Sequence, residues 1–87
     1  MITVRKINGT TFEVTVEGRT RTTHRVTVET GYYDKLTGGK VKPELLVEKS
    51  FEFLLEREPN TSILRNFDLP LIGHYFPEYE RTMQGML

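Results

Sequence analysis

The chain has 87 residues, 37% hydrophobic and 28% charged, with a formal net charge of zero, values typical of a single globular domain spanning residues 1–87. It has no cysteine, which excludes disulfides, thiolate metal sites and a cysteine nucleophile, and favours a reducing compartment, the cytoplasm. No apolar stretch has the length of a membrane span or a signal peptide, so we expect no membrane association.

The charges are distributed unevenly along the chain. The first 42 residues hold eight basic and four acidic residues, whereas residues 43–87 hold four basic and eight acidic ones. Such asymmetry can mark a basic binding face. The simpler interpretation, which we favour, is that the two halves complement each other inside the fold.

Residues 1–30 alternate apolar and polar side chains with a period of two, the pattern of strands that bury one face. This pattern predicts an antiparallel β-meander with strands at about 2–7, 10–17 and 22–29. The second turn falls near Gly18, and we expect it to pair Val16 with His24.

Asn8-Gly9 is a strong signal for the first hairpin. A two-residue loop would place Val4 opposite a polar residue, which a sheet with one buried face disfavours. A three-residue loop that starts at Ile7 places Val4 opposite Phe12 instead. We therefore predict the three-residue loop, with Gly9 at a positive φ.

The second half of the chain has helical features. A short helix is expected between Thr30 and Gly38, and Pro43 opens the main helix, at about 43–58, which Pro59 ends. The apolar residues of the main helix cover about half its circumference, wider than one neighbouring sheet requires, so we expect a second packing partner. Short C-terminal helices follow. Packed on one sheet face with the main helix, they complete an α+β fold.

Few side chains suit catalysis or ligand binding. The Gly38–Lys40 segment resembles a phosphate-binding loop but lacks the first glycine and the following Ser or Thr. His24 and His74 have no partners at the spacing of metal ligands or of an acid–base pair. Ser50 falls in the buried arc of the main helix, and Ser62 in a helix cap. We therefore predict no catalytic residue, no metal, no cofactor and no enzymatic activity.

The tail from Leu69 to Tyr79 is dense in Leu, Ile, Tyr, Phe and Pro. It can complete the core over the main helix, or part of it can stay exposed and bind a partner. Tyrosine is favoured at interfaces because it combines a large apolar area with a polar group. Our hypothesis assigns partner binding to Tyr75, Phe76 and Tyr79.

The alternative binding surface is the basic part of the sheet and its turns, with Arg5, Lys6, Arg19, Arg21 and Arg25 as the candidate nucleic-acid contacts. Several glutamates share that face, and no aromatic residue is present there to stack on bases. The sequence therefore argues against nucleic acid as the partner.

The segment from Ser50 to Glu80 resembles a small uncharacterised bacterial protein, a resemblance that implies no activity. The function expected from the sequence is a small non-enzymatic protein-interaction or regulatory module. Its partner would be another protein, with a second copy of this chain among the candidates.

Overall fold

One sheet of four strands packs against helices in the computed structural model, which describes all residues from Met1 to Leu87. The predicted α+β class and the antiparallel meander are confirmed. The elements are, in chain order, β1 (Ile2–Lys6), β2 (Thr11–Glu17), β3 (Arg21–Thr27), α1 (Thr30–Thr37), α2 (Pro43–Leu55), a 3₁₀ turn (Asn60–Ser62), β4 (Asn66–Asp68), α3 (Leu71–Tyr75) and α4 (Tyr79–Met86).

The predicted register of the first hairpin is wrong by two residues. Val4 pairs with Val14, not with Phe12. The loop lies one residue further along the chain than predicted. The Asn8 side-chain oxygen accepts hydrogen bonds from the backbone N–H groups of Thr10 and Thr11, at 3.0 Å each. This arrangement is a typical asparagine turn. Gly9 consequently has no positive φ. A shift of two leaves every side chain on its predicted face, because strand side chains alternate with a period of two.

The predicted register of the second hairpin is also wrong by two residues. Val14, not Val16, pairs with His24. The buried face of β2 and β3 is nevertheless the predicted one, since Phe12, Val14, Val16, His24 and Val26 are all at most 3% exposed.

The sheet has a fourth strand that the sequence pattern did not predict. β4 pairs in parallel with β3, and Phe67 lies opposite Val26. With only three residues, β4 is too short to show a periodic pattern. It forms the sheet edge opposite β1, in the strand order β1-β2-β3-β4.

The main helix α2 ends at Leu55, three residues before the predicted boundary, and Pro43 occupies its first turn as expected. Phe51 is fully buried and its ring packs against His24 and Phe67, with centroids 5.4 and 6.1 Å away. The second partner of this wide apolar face is α4, through Tyr79.

The basic and acidic halves of the chain were expected to neutralise each other, but few ion pairs connect them. Among the ion pairs, only Lys35–Glu80, at 3.3 Å, joins the two halves. The Tyr32 hydroxyl also donates to Glu80, at 3.0 Å. Both contacts connect α1 with α4.

Candidate interaction surface

The three aromatic side chains of the predicted docking segment have different environments. Tyr79 is fully buried, Phe76 is half-buried, and Tyr75 is 64% exposed. Phe76 and Tyr79 both pack edge-on against Phe53, with ring centroids at 5.9 and 5.3 Å. The assignment of Tyr79 to a docking surface is therefore wrong, because this residue belongs to the core. Only Tyr75 and the outer part of Phe76 can contact a partner.

Tyr79 is held by a buried polar contact between α4 and α2. The Ser50 hydroxyl donates to the Leu46 carbonyl at 2.7 Å, so the Tyr79 hydroxyl donates to Ser50 Oγ at 2.6 Å. Each polar atom is thereby satisfied, as burial requires. Burial disfavours the phenolate and raises the pKa of Tyr79.

The raised pKa of Tyr79 predicts alkaline sensitivity. The unfolded state ionises this tyrosine at its ordinary pKa of about 10, while the folded state keeps the proton. The stabilisation is complete below that pH, and stability then falls by up to about 1.4 kcal/mol per pH unit until the folded pKa is reached. Urea unfolding at several pH values between about 9 and 11.5 measures the slope. We expect a shallower slope in Tyr79→Phe, and an equal slope would contradict this explanation.

An apolar groove lies beside the exposed tyrosine. It encloses about 230 Å³ between the C-terminal end of α2, the segment after the 3₁₀ turn, β4 and α3. Eight of its ten lining residues are hydrophobic: Leu54, Ile63, Leu64, Phe67, Leu71, Ile72, Tyr75 and Phe76, with Glu58 and Ser62 as the polar ones. Leu64 is 49% exposed, so this leucine and Tyr75 contribute large apolar surface that the fold leaves open.

The segment that carries Leu64 is anchored to the sheet. His24 Nδ1 donates to the Leu64 carbonyl at 2.8 Å, and His24 Nε2 lies 2.8 Å from Thr22 Oγ1. His24 is only 1% exposed, so it has a structural role in positioning one side of the groove.

Arg57 connects the end of α2 with the start of α4. Its guanidinium lies 3.5 Å from the Phe53 ring centroid, and its Nε donates to Glu78 at 3.2 Å. The pKa of the Glu78 carboxyl is lowered by a hydrogen bond from the backbone N–H of Glu78 itself and by the nearby Arg57 guanidinium. These contacts fix the chain on either side of α3.

The candidate nucleic-acid contacts do not form one positive surface. Arg5 is paired with Glu13 at 3.0 Å, and Arg21 with Glu17 at 3.6 Å. Lys6 lies opposite Phe12, on the other face of the sheet from Arg5. Arg19 is in the β2–β3 turn. Arg25 makes no ion pair, but Glu13 is its partner in the register.

A second, polar cleft of about 350 Å³ lies between β3 and the 3₁₀ turn. Asn60 Nδ2 donates to the Thr20 carbonyl at 2.7 Å across this cleft. Asn60 therefore joins the turn to the sheet, in the same region as the His24 contacts.

No three or more His, Asp or Glu side chains converge as a metal site would require, and none of the helices has the length and hydrophobicity needed to cross a membrane. Comparison with models of protein families, with curated proteins and with solved structures gives no match to this chain.

Proposed function

We propose that this protein is a small non-enzymatic interaction module, a regulator or a subunit, that binds another protein through the apolar groove beside Tyr75. The cytoplasm is the compartment in which we expect it to act.

The combination of shape and exposure at the groove supports this proposal. Leu64 and Tyr75 are 49% and 64% exposed, respectively, beside a concavity lined mainly by hydrophobic residues. Burying such side chains against a partner removes apolar surface from water, at about 25 cal/mol per Å². Exposed tyrosines next to an apolar pocket are frequent anchors of protein–protein interfaces.

The two buried candidate groups have structural roles, which supports the non-enzymatic part of the proposal. Ser50 and His24 are both buried and hydrogen-bonded, to Tyr79 and to Leu64 respectively. Nucleic acid is disfavoured, because Arg5 and Arg21 are paired with glutamates on the sheet.

The exposed side chains of the groove provide the test. Partners captured from extract are identified by mass spectrometry, purified and titrated by calorimetry against the wild type and Leu64→Ala/Tyr75→Ala. We expect the double variant to lose about 2 kcal/mol of affinity, roughly 30-fold, while it keeps its fold.

Arg5→Ala/Arg25→Ala is the matched control on the sheet face, and it should bind normally. The proposal fails if the groove variant binds as tightly as the wild type. Loss of binding in the control variant, with a steep decrease of affinity as salt rises, would instead favour nucleic acid.

A further inference from the structure

We propose that the partner enters as an extended peptide that adds a fifth strand to the open edge of β4 and inserts an apolar side chain into the groove. This inference rests on the proposed function, and it specifies the class of partner and the mode of recognition. Strand addition of this kind combines main-chain hydrogen bonds with pockets for alternate side chains.

The hydrogen bonds of β4 determine which backbone groups are free. Arg25 N–H donates to the Arg65 carbonyl at 2.7 Å, and Leu69 N–H donates to the Thr27 carbonyl at 2.9 Å. The odd-numbered residues of this segment therefore bond to β3, and the N–H and C=O groups of Asn66 and Asp68 point away from it. Because β4 is the last strand of the sheet, those four groups form an unpaired edge.

The groove adjoins this edge on one face of the sheet. Phe67, between the two edge-facing residues, lines the groove with its side chain. Side chains of an added strand alternate between the two faces, as they do in β4. The peptide residue beside Phe67 would therefore project towards the groove, and its neighbours would project towards the opposite face, beside Asn66 and Asp68.

Charge determines the chemistry of those neighbours. Asp68 is exposed, and it takes part in no ion pair. A Lys or Arg in the peptide opposite Asp68 would supply the missing positive charge across the strands. The preferred peptide thus has a bulky apolar residue beside Phe67 and a basic residue opposite Asp68.

The other edge of the sheet lacks these features. β1 carries Arg5 and Lys6, and charged side chains, lysine above all, protect exposed strand edges against pairing. No groove lining comes from β1.

The probe is a phage-displayed library of random nine-residue peptides, selected on the wild type and on Asp68→Lys. We expect the wild type to enrich a bulky apolar residue next to a basic one, and Asp68→Lys to prefer an acidic residue at the position opposite residue 68. A selected peptide should lose about two- to fivefold in affinity for Asp68→Lys. Glu48→Lys on α2 is the matched charge reversal and should bind normally, because Glu48 does not line the groove.

Backbone pairing is tested with singly N-methylated versions of one selected peptide. Methylation should weaken binding about tenfold or more at alternate positions only, because every second peptide N–H faces β4. In hydrogen exchange, the Asn66 and Asp68 amides should become protected in the complex.

Strand addition would be overturned by equal effects of methylation at all positions, by amides of residues 66 and 68 that stay unprotected in the complex, or by a second copy of this chain that covers the groove. A selected peptide that binds as a helix and depends on Tyr75 would refute this mode but leave the proposed function intact. Peptides insensitive to Leu64→Ala/Tyr75→Ala would contradict both.

Discussion

Replacing Phe51 with alanine is expected to destabilise the protein by about 3–5 kcal/mol, the usual cost of truncating a buried phenylalanine. Phe51 is fully buried on α2 and packs against His24 on β3 and Phe67 on β4. Its removal leaves a cavity where the helix meets the two strands that support the groove. Since small domains have about 5–15 kcal/mol of stability in total, the variant should be only marginally folded.

Glu52→Ala is the control for Phe51→Ala, because Glu52 is the next residue on the same helix and faces water. It forms only a 3.4 Å ion pair with Lys49, so the change should alter stability by at most about 0.5 kcal/mol. Urea unfolding of both variants gives the comparison. Similar losses in the two variants would show that the helix faces the sheet with a different side.

Tyr79→Ala is expected to cost about 3–5 kcal/mol, although the same residue had been predicted from sequence to contact a partner. Its ring packs on Phe53 and its hydroxyl donates to Ser50 Oγ at 2.6 Å. Tyr79→Phe keeps the ring and removes only the hydroxyl, so about 1 kcal/mol should be lost. Thermal unfolding monitored by circular dichroism measures both changes.

Tyr75→Ala is the matched control for Tyr79→Ala, since both remove a tyrosine from the same tail. Tyr75 is 64% exposed, and its loss should change stability by less than about 0.5 kcal/mol. Equal destabilisation at the two positions, or a folded and stable Tyr79→Ala, would refute the division of this tail into core and surface.

The sequence predicts the faces of the first three strands better than their pairing. Alternation with a period of two fixes which side chains are buried, and a register shift of two residues leaves that unchanged. The loop position depends instead on the Asn8 side chain, which accepts two backbone N–H groups. Asparagine in a turn was recognised, but the particular N–H groups it accepts depend on the local three-dimensional arrangement.

The sequence predicted an aromatic docking segment, not a groove. Tyr75 and Phe76 were identified by the density of aromatic residues, whereas Leu64 and Phe67 were missed because β4 has no local signal and forms by pairing with β3. The sequence does contain an indication that Tyr79 is buried. Tyr79 and Met83 are four residues apart on one helix face, as expected for two buried residues, and Ser50 in the buried arc of α2 needed a polar partner.

The parallel pairing of β4 with β3 has a consequence for the order of folding. Each hairpin joins neighbours in sequence, whereas the contact of His24 with Leu64 spans 40 positions. Closing so long a loop costs conformational entropy before any contact compensates for it. We therefore expect the hairpins and α2 to form early and the β4 edge to be completed last. A partner that needs this edge would recognise the chain only at the end of folding, so incompletely folded chains would escape binding.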